Sequence, residues 1–136
     1  IEKMGIHLDE SLRLAEDLAQ VEIDGLHISC WDVFQDVEDE DERLMTKRFA
    51  DAVPNGFPLI STGAVWSAND AQFVLDEGAD LVGVGRVAIG HPDWPVHLAN
   101  GAYDPQRPPF SAEHLADAGL SPVFIDYMRR WKNFVE

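Results

Sequence analysis

Two short stretches of this chain carry residue types able to grip an anion: Leu59-Ile60-Ser61-Thr62-Gly63 and, further along, Leu81-Val82-Gly83-Val84-Gly85-Arg86. Each is an apolar run that ends in glycine and leads into a helical pattern, the layout of consecutive strand–helix units with a tight turn between them. In a parallel barrel two such turns lie side by side, and their backbone N–H groups can hold a phosphate. Arg86 brings the positive charge, and its guanidinium fork suits phosphate oxygens. The bland alternatives stay open: Gly63 and Gly85 as ordinary turn glycines, Arg86 as a surface arginine paired with a nearby acid.

Other reactive side chains are scattered. His27 falls in a strand, either as a satisfied core histidine or as a group facing into a barrel. Cys30 and Trp31 follow that strand, at the end where barrels carry their sites; a buried, inert thiol is the simpler reading of Cys30. His91, His97 and His114 show no metal-ligand spacing with one another or with Cys30. Arg107 reads as a surface arginine. The run Asp36 to Glu42 places six acids in seven positions. It lacks the spacing and the glycine of an EF-hand loop, so it reads as a solvated loop. No residue is read as a catalytic group or a metal ligand.

The elements that must position these residues alternate. Asp9 is the expected N-cap of a helix carrying Leu12, Ala15 and Leu18. Gly25 to Ser29 reads as a buried strand, followed by a long polar connection and a helix around Leu44, Met45, Phe49 and Ala52 that Pro54-Asn55-Gly56 ends. Leu59 to Ser61 is the second strand. Ser67 and Asp70 form a capping box for a helix bearing Ala71, Val74 and Leu75, which Gly78 stops before the third strand, Leu81 to Val84. The strands are expected to be apolar on both faces.

Beyond Arg86 the pattern changes. Pro92-Asp93-Trp94-Pro95 opens a short helix through Ala99, and residues 101–110 form an irregular, proline-rich arm. Ser111 caps a helix ending at Gly119, and Ser121-Pro122 starts the last one. Its Phe124, Tyr127, Met128, Trp131 and Phe134 read as a packing stripe against the chain's own barrel or a partner subunit. The expected organisation is strand–helix units over residues 1–100 and an arm with helices over residues 101–136.

The fold class this implies is α/β. Three strands fall short of the eight that close a (β/α)8 barrel, and an open sheet leaves edges unpaired. The expectation is therefore the C-terminal part of a larger TIM barrel, and the start at Ile1 points the same way. With 25 acidic against 10 basic residues, a net charge of −15 repels nucleic acid and anionic lipid. The lone Cys30 fits a reducing compartment. No apolar run has the length of a membrane span. A cytoplasmic protein with neither nucleic-acid nor membrane partners is expected.

In this order, Ser61-Thr62-Gly63-Ala64, Glu77-Gly78-Ala79-Asp80, Leu81 to Arg86 and His91-Pro92-Asp93-Trp94-Pro95 resemble the end of an Old Yellow Enzyme-type NADH:flavin oxidoreductase. Gly25 to Ser29 resembles the preceding strand, and the likeness spans Leu8 to Asn100. The resemblance implies a TIM barrel holding FMN at the C-terminal ends of its strands. Gly63 and Ala64 would offer N–H groups to the FMN phosphate, Gly85 would let the backbone approach closely, and Arg86 would pair with the phosphate. It also implies NAD(P)H as reductant, an activated alkene as substrate, and either a homo-oligomer or the remainder of the barrel as partner. In some family members a tail arginine reaches a neighbouring subunit's site, a role in which Arg107 would stand. The family's catalytic residues lie in strands that no part of this chain matches. The alternatives are a phosphate-binding TIM-barrel enzyme of another class and a non-catalytic half-barrel that assembles through its open edges.

Overall fold

A computed structural model describes residues 5–37 and 41–136. Ile1 to Met4 and Glu38 to Glu40, the middle of the acidic run, lie outside the described residues. The element order is α1 (Leu8–Leu18), β1 (Leu26–Ser29), α2 (Met45–Ala52), β2 (Leu59–Thr62), α3 (Ala68–Asp76) and β3 (Leu81–Gly83). Then follow α4 (Arg86–Gly90), α5 (Trp94–Ala99), α6 (Ala112–Asp117) and α7 (Pro122–Met128). The strands form one parallel sheet in the order β1-β2-β3. The protein is thus α/β, an arrangement compatible with part of an α/β barrel. It divides into two compact units, Ile1–Ala64 with Gln72–Gly83, and Val65–Ala71 with Val84–Glu136.

The first unit holds the sheet. Ala15 of α1, Phe49 of α2, Ile28 and Leu59 of the strands, and Val53 form its core, with Leu8, Leu12 and Met45 packed against it. Burying each large apolar side chain stabilises by about 1.5–3 kcal/mol. Two polar devices set the register. The Asp80 carboxylate accepts the Leu59 N–H at 2.9 Å while the Asp80 N–H donates to the Leu59 carbonyl at 2.8 Å, tying β2 to the start of β3. Beneath the sheet, Thr46 and Ser61 share a buried hydroxyl–hydroxyl hydrogen bond of 2.8 Å, so neither is left unpaired.

Several sequence expectations need correction here. The N-cap of α1 is His7 rather than Asp9, because the Glu10 carboxylate folds back onto the His7 N–H at 2.8 Å. The strands are not apolar on both faces: in β1 only Ile28 is buried, and His27 and Ser29 are exposed. His27 is therefore no core histidine. Arg48 is buried, although a long charged side chain on an amphipathic helix normally faces water; its guanidinium is bound by the Arg43 and Asp41 carbonyls.

The second unit gathers around Phe110, which is fully buried against Trp66, His91, His114 and Phe134. A Cβ on Gly90 would come within 2.6 Å of the Phe110 ring, so α4 can seat there only through glycine. Ser67 and Asp70 form the expected capping box, with Asp70 N–H on Ser67 Oγ at 3.0 Å and Ser67 N–H on Asp70 Oδ2 at 2.8 Å. Ser111 and Ser121 cap α6 and α7, and Pro122 opens α7. The aromatic stripe does not hold together. α7 ends at Met128, and Phe124, Tyr127 and Trp131 are exposed while Ile125, Met128 and Phe134 are buried.

Candidate functional site

The two candidate turns follow directly from the ends of two paired strands. Thr62 of β2 stands in register with Gly83 of β3. Gly63-Ala64 succeeds the first and Gly85-Arg86 lies two residues beyond the second. Gly63 and Ala64 belong to the first compact unit, Gly85 and Arg86 to the second.

At the first turn the backbone is forced. Gly63 has φ +156°, and a Cβ there would meet the Cys30 carbonyl oxygen at 2.7 Å and Val33 Cγ1 at 3.1 Å. A carbonyl held by neighbouring backbone does not yield, so only glycine fits. Backbone hydrogen bonds hold the segments just beyond β1 and β2 together, with Cys30 N–H on the Thr62 carbonyl at 2.8 Å and Val33 N–H on the Gly63 carbonyl at 3.4 Å. Ala64 is left-handed, φ 54°, a conformation costing a non-glycine residue roughly 1–2 kcal/mol. Strained backbone of this kind is held only where the surroundings impose it, and it concentrates at ligand sites. The consecutive turn residues Gly63 and Ala64 are the groups read from the sequence as phosphate-facing.

The N-terminus of α3, which follows this turn, is already committed. Asp70 Oδ2 accepts from Trp66 N–H (2.9 Å) as well as Ser67 N–H, and Ala68 N–H donates to the Tyr103 carbonyl at 2.7 Å. These partners occupy the positive end of the helix dipole that an anion would otherwise use.

At the second turn Gly85 is the exposed N-cap of α4 and Arg86 its half-buried first residue. A Cβ added to Gly85 meets nothing within 4 Å among the described residues, so its backbone is open to close approach. Ala88 N–H on the Gly85 carbonyl, 3.1 Å, closes the turn.

Arg107 lies in the proline-rich arm. It pairs with Asp104 at 2.7 Å and approaches Asp70 at 3.7 Å, fastening the proline-rich arm beside the capping box. Burial pushes the Cys30 thiol up from its ordinary value, which keeps it protonated at neutral pH, as an inert cysteine should be. Among the described residues no three His, Cys, Asp or Glu side chains converge as a metal site.

Sequence reasoning passed over the most constrained group of this region. His27 Nε2 and Thr62 Oγ1 are 2.8 Å apart. A Cβ on Gly83 would lie only 1.7 Å from the same Thr62 oxygen. The signal was present in Gly83 itself, since a glycine inside an apolar strand marks a close approach.

No family profile matches the chain. Similar curated proteins include the probable NADH-dependent flavin oxidoreductase YqiG of Bacillus subtilis (strain 168), 33% identical over 102 residues, covering 74% of this chain and 27% of that protein. The NADH:fumarate oxidoreductase of Klebsiella pneumoniae (strain 342) is 31% identical over 106 residues, 74% of this chain and 12% of the relative. The NADH:acrylate oxidoreductase of Vibrio harveyi is 28% identical over 99 residues, 69% of this chain and 10% of the relative. The chain therefore spans about a quarter or less of the length of these relatives. The ordered motifs and these similarities agree: the chain is a relative of the NADH-dependent flavin oxidoreductases, consistent with an Old Yellow Enzyme-type family.

Proposed function

We propose that this chain is the phosphate-gripping part of an FMN-dependent NAD(P)H oxidoreductase, built as the C-terminal units of a (β/α)8 TIM barrel. The observation that carries the reading is the Gly63-Ala64 turn, where sterics and a left-handed alanine fix two consecutive residues at the C-terminal end of a strand. Gly63 and Ala64 would supply amides, Gly85 close backbone approach, and Arg86 the countercharge. The fit is chemical: a dianionic phosphate on a chain of net charge −15 needs dedicated donors and a guanidinium. The bound flavin would take a hydride from NAD(P)H and pass it to an activated alkene. Two relatives are named for fumarate and acrylate, both alkenes conjugated to a carboxylate. The residues that polarise the alkene and deliver its proton belong to the rest of the barrel, and the working partner is that remainder or a further subunit.

Among the described residues no helix is long and apolar enough to cross a membrane. The exposed sheet face bearing His27 and Ser29 fits a barrel interior that further strands would cover.

FMN titration followed by quenching of flavin fluorescence tests the reading. Arg86→Ala is expected to weaken binding about tenfold or more, the size of a lost charge-assisted hydrogen bond. Arg107→Ala should leave it nearly unchanged. Equal affinities for the two variants remove the phosphate assignment, and no FMN binding by the protein removes the reading as a whole.

A further inference from the structure

Asparagine occurs at four positions, and at two of them, Asn55-Gly56 and Asn100-Gly101, glycine follows. That pairing is chemically unstable in water, the source of much of the thermal lability of asparagine in proteins. The glycine amide nitrogen attacks the asparagine Cγ, and glycine places no side chain in the way of the cyclic imide that forms. Ammonia leaves, carrying Nδ2 with its two hydrogens and the proton from the glycine nitrogen. Water then adds to one imide carbonyl. Breaking the ring bond at Cγ gives aspartate. Breaking the one at the main-chain carbonyl gives isoaspartate, whose backbone runs through the side-chain methylene.

Both pairs are exposed, so access to water does not separate them. Hydrogen bonding does. At the second pair both reacting groups are held: Asn100 Nδ2 donates to the Val96 carbonyl at 2.9 Å, and the Gly101 N–H donates to the Leu98 carbonyl at 3.1 Å. Ring closure there requires both bonds to open and the end of α5 to fray. At the first pair neither the Asn55 side chain nor the Gly56 N–H has a hydrogen-bond partner among the described residues. Gly56 has φ +82°, and a Cβ there would meet nothing within 4 Å, so the turn has room to swing. The turn is closed by the Phe57 N–H on the Pro54 carbonyl at 3.0 Å, a bond that leaves both reacting groups out.

We propose that Asn55 is a spontaneous deamidation site of the folded chain, and that Asn100, with the same sequence signal, is protected by its hydrogen bonds. The product matters to the fold because of where the turn leads. It delivers Phe57, packed against the core of the first unit, and Pro58, whose carbonyl accepts the Leu26 N–H at 2.9 Å. Isoaspartate at position 55 lengthens the main chain between the buried Val53 and those two anchors. Either product adds a negative charge to a chain already at −15.

Peptide mapping by mass spectrometry, after incubation of the 136-residue chain at mildly alkaline pH, follows the amide-to-acid mass change at each site. Conversion at Asn55 is expected to run about tenfold or more faster than at Asn100, the size of two hydrogen bonds that must open first. In urea, where neither turn persists, the two rates should converge. Equal rates in the folded chain, or a faster Asn100, overturn the proposal. A difference of the same size in urea also overturns it, because neighbouring residues rather than folded structure would then set the rates. The aged protein should show a lowered thermal midpoint that Asn55→Gln, whose longer side chain cyclises far more slowly, does not develop. An equal fall in that variant removes the link between Asn55 and the fold.

Discussion

Gly83 and Thr62 show how one atom can settle the identity of a residue on another strand. With the Thr62 oxygen 1.7 Å from where a Cβ would stand, Gly83→Ala cannot be accommodated without displacing a hydroxyl that His27 holds. Overpacking of this kind costs about 1–3 kcal/mol. The expected outcome is a clear drop in the thermal midpoint of Gly83→Ala, recovered in large part when Thr62→Ala is added. Additive losses in the double variant would show that the contact is not the cause. Gly63 differs, because its neighbour is the Cys30 carbonyl. No single side-chain truncation should rescue Gly63→Ala, since backbone would have to move.

At the scale of elements, caps and charge pairs do most of the local work. Asp70 receives two N–H groups at the head of α3, so Asp70→Ala is expected to cost about 1–2 kcal/mol in thermal or denaturant unfolding. The ion pairs of α2 are pH-dependent. Hydrogen bonds from Lys47 and then Arg43 hold the Asp51 carboxyl below its ordinary value, and Arg43 does the same to Asp41. A carboxyl depressed in the folded state adds stability above its unfolded value of 3.8, and that stability is lost as pH falls through the folded value. Asp51→Asn should therefore lower the midpoint slightly at pH 7 and not at all once the pH is below the folded value, with the difference shrinking in salt because these groups are exposed. Elements whose signals lie within four residues were legible in the sequence: the Ser67–Asp70 box, the Gly78 stop, Ser121-Pro122 opening α7. Pairings beyond that reach were not. Nothing near His27 announces Thr62, and nothing near Arg48 announces the carbonyls it binds. The Phe124 to Phe134 stripe is not one helical face, because the helix that would align it ends at Met128. For the candidate site, the turns were legible from glycines after apolar runs, whereas the left-handed Ala64 and the committed head of α3 required coordinates.

At the scale of the whole molecule the acidic excess acts on anything negative that approaches. A net charge of −15 lowers the local concentration of a phosphorylated ligand, and salt relieves this over a Debye length of about 8 Å at physiological ionic strength. Stopped-flow mixing with FMN is expected to give an association rate that rises several-fold between low and physiological salt, the reverse of electrostatically steered binding. A falling rate would mean that the local field at the turns outweighs the global one. The placement of the four tryptophans has a consequence for any optical study of this protein. Trp66 and Trp94 are buried in the second unit, joined by an indole N–H to carbonyl bond of 2.7 Å, and Trp131 belongs to the same unit. The first unit has only Trp31, which is 73% exposed when folded. Intrinsic emission will therefore shift to the red when the second unit opens and hardly change when the sheet does. A fluorescence melting curve would report on the arm and the C-terminal helices while staying nearly blind to the strands that carry Gly63.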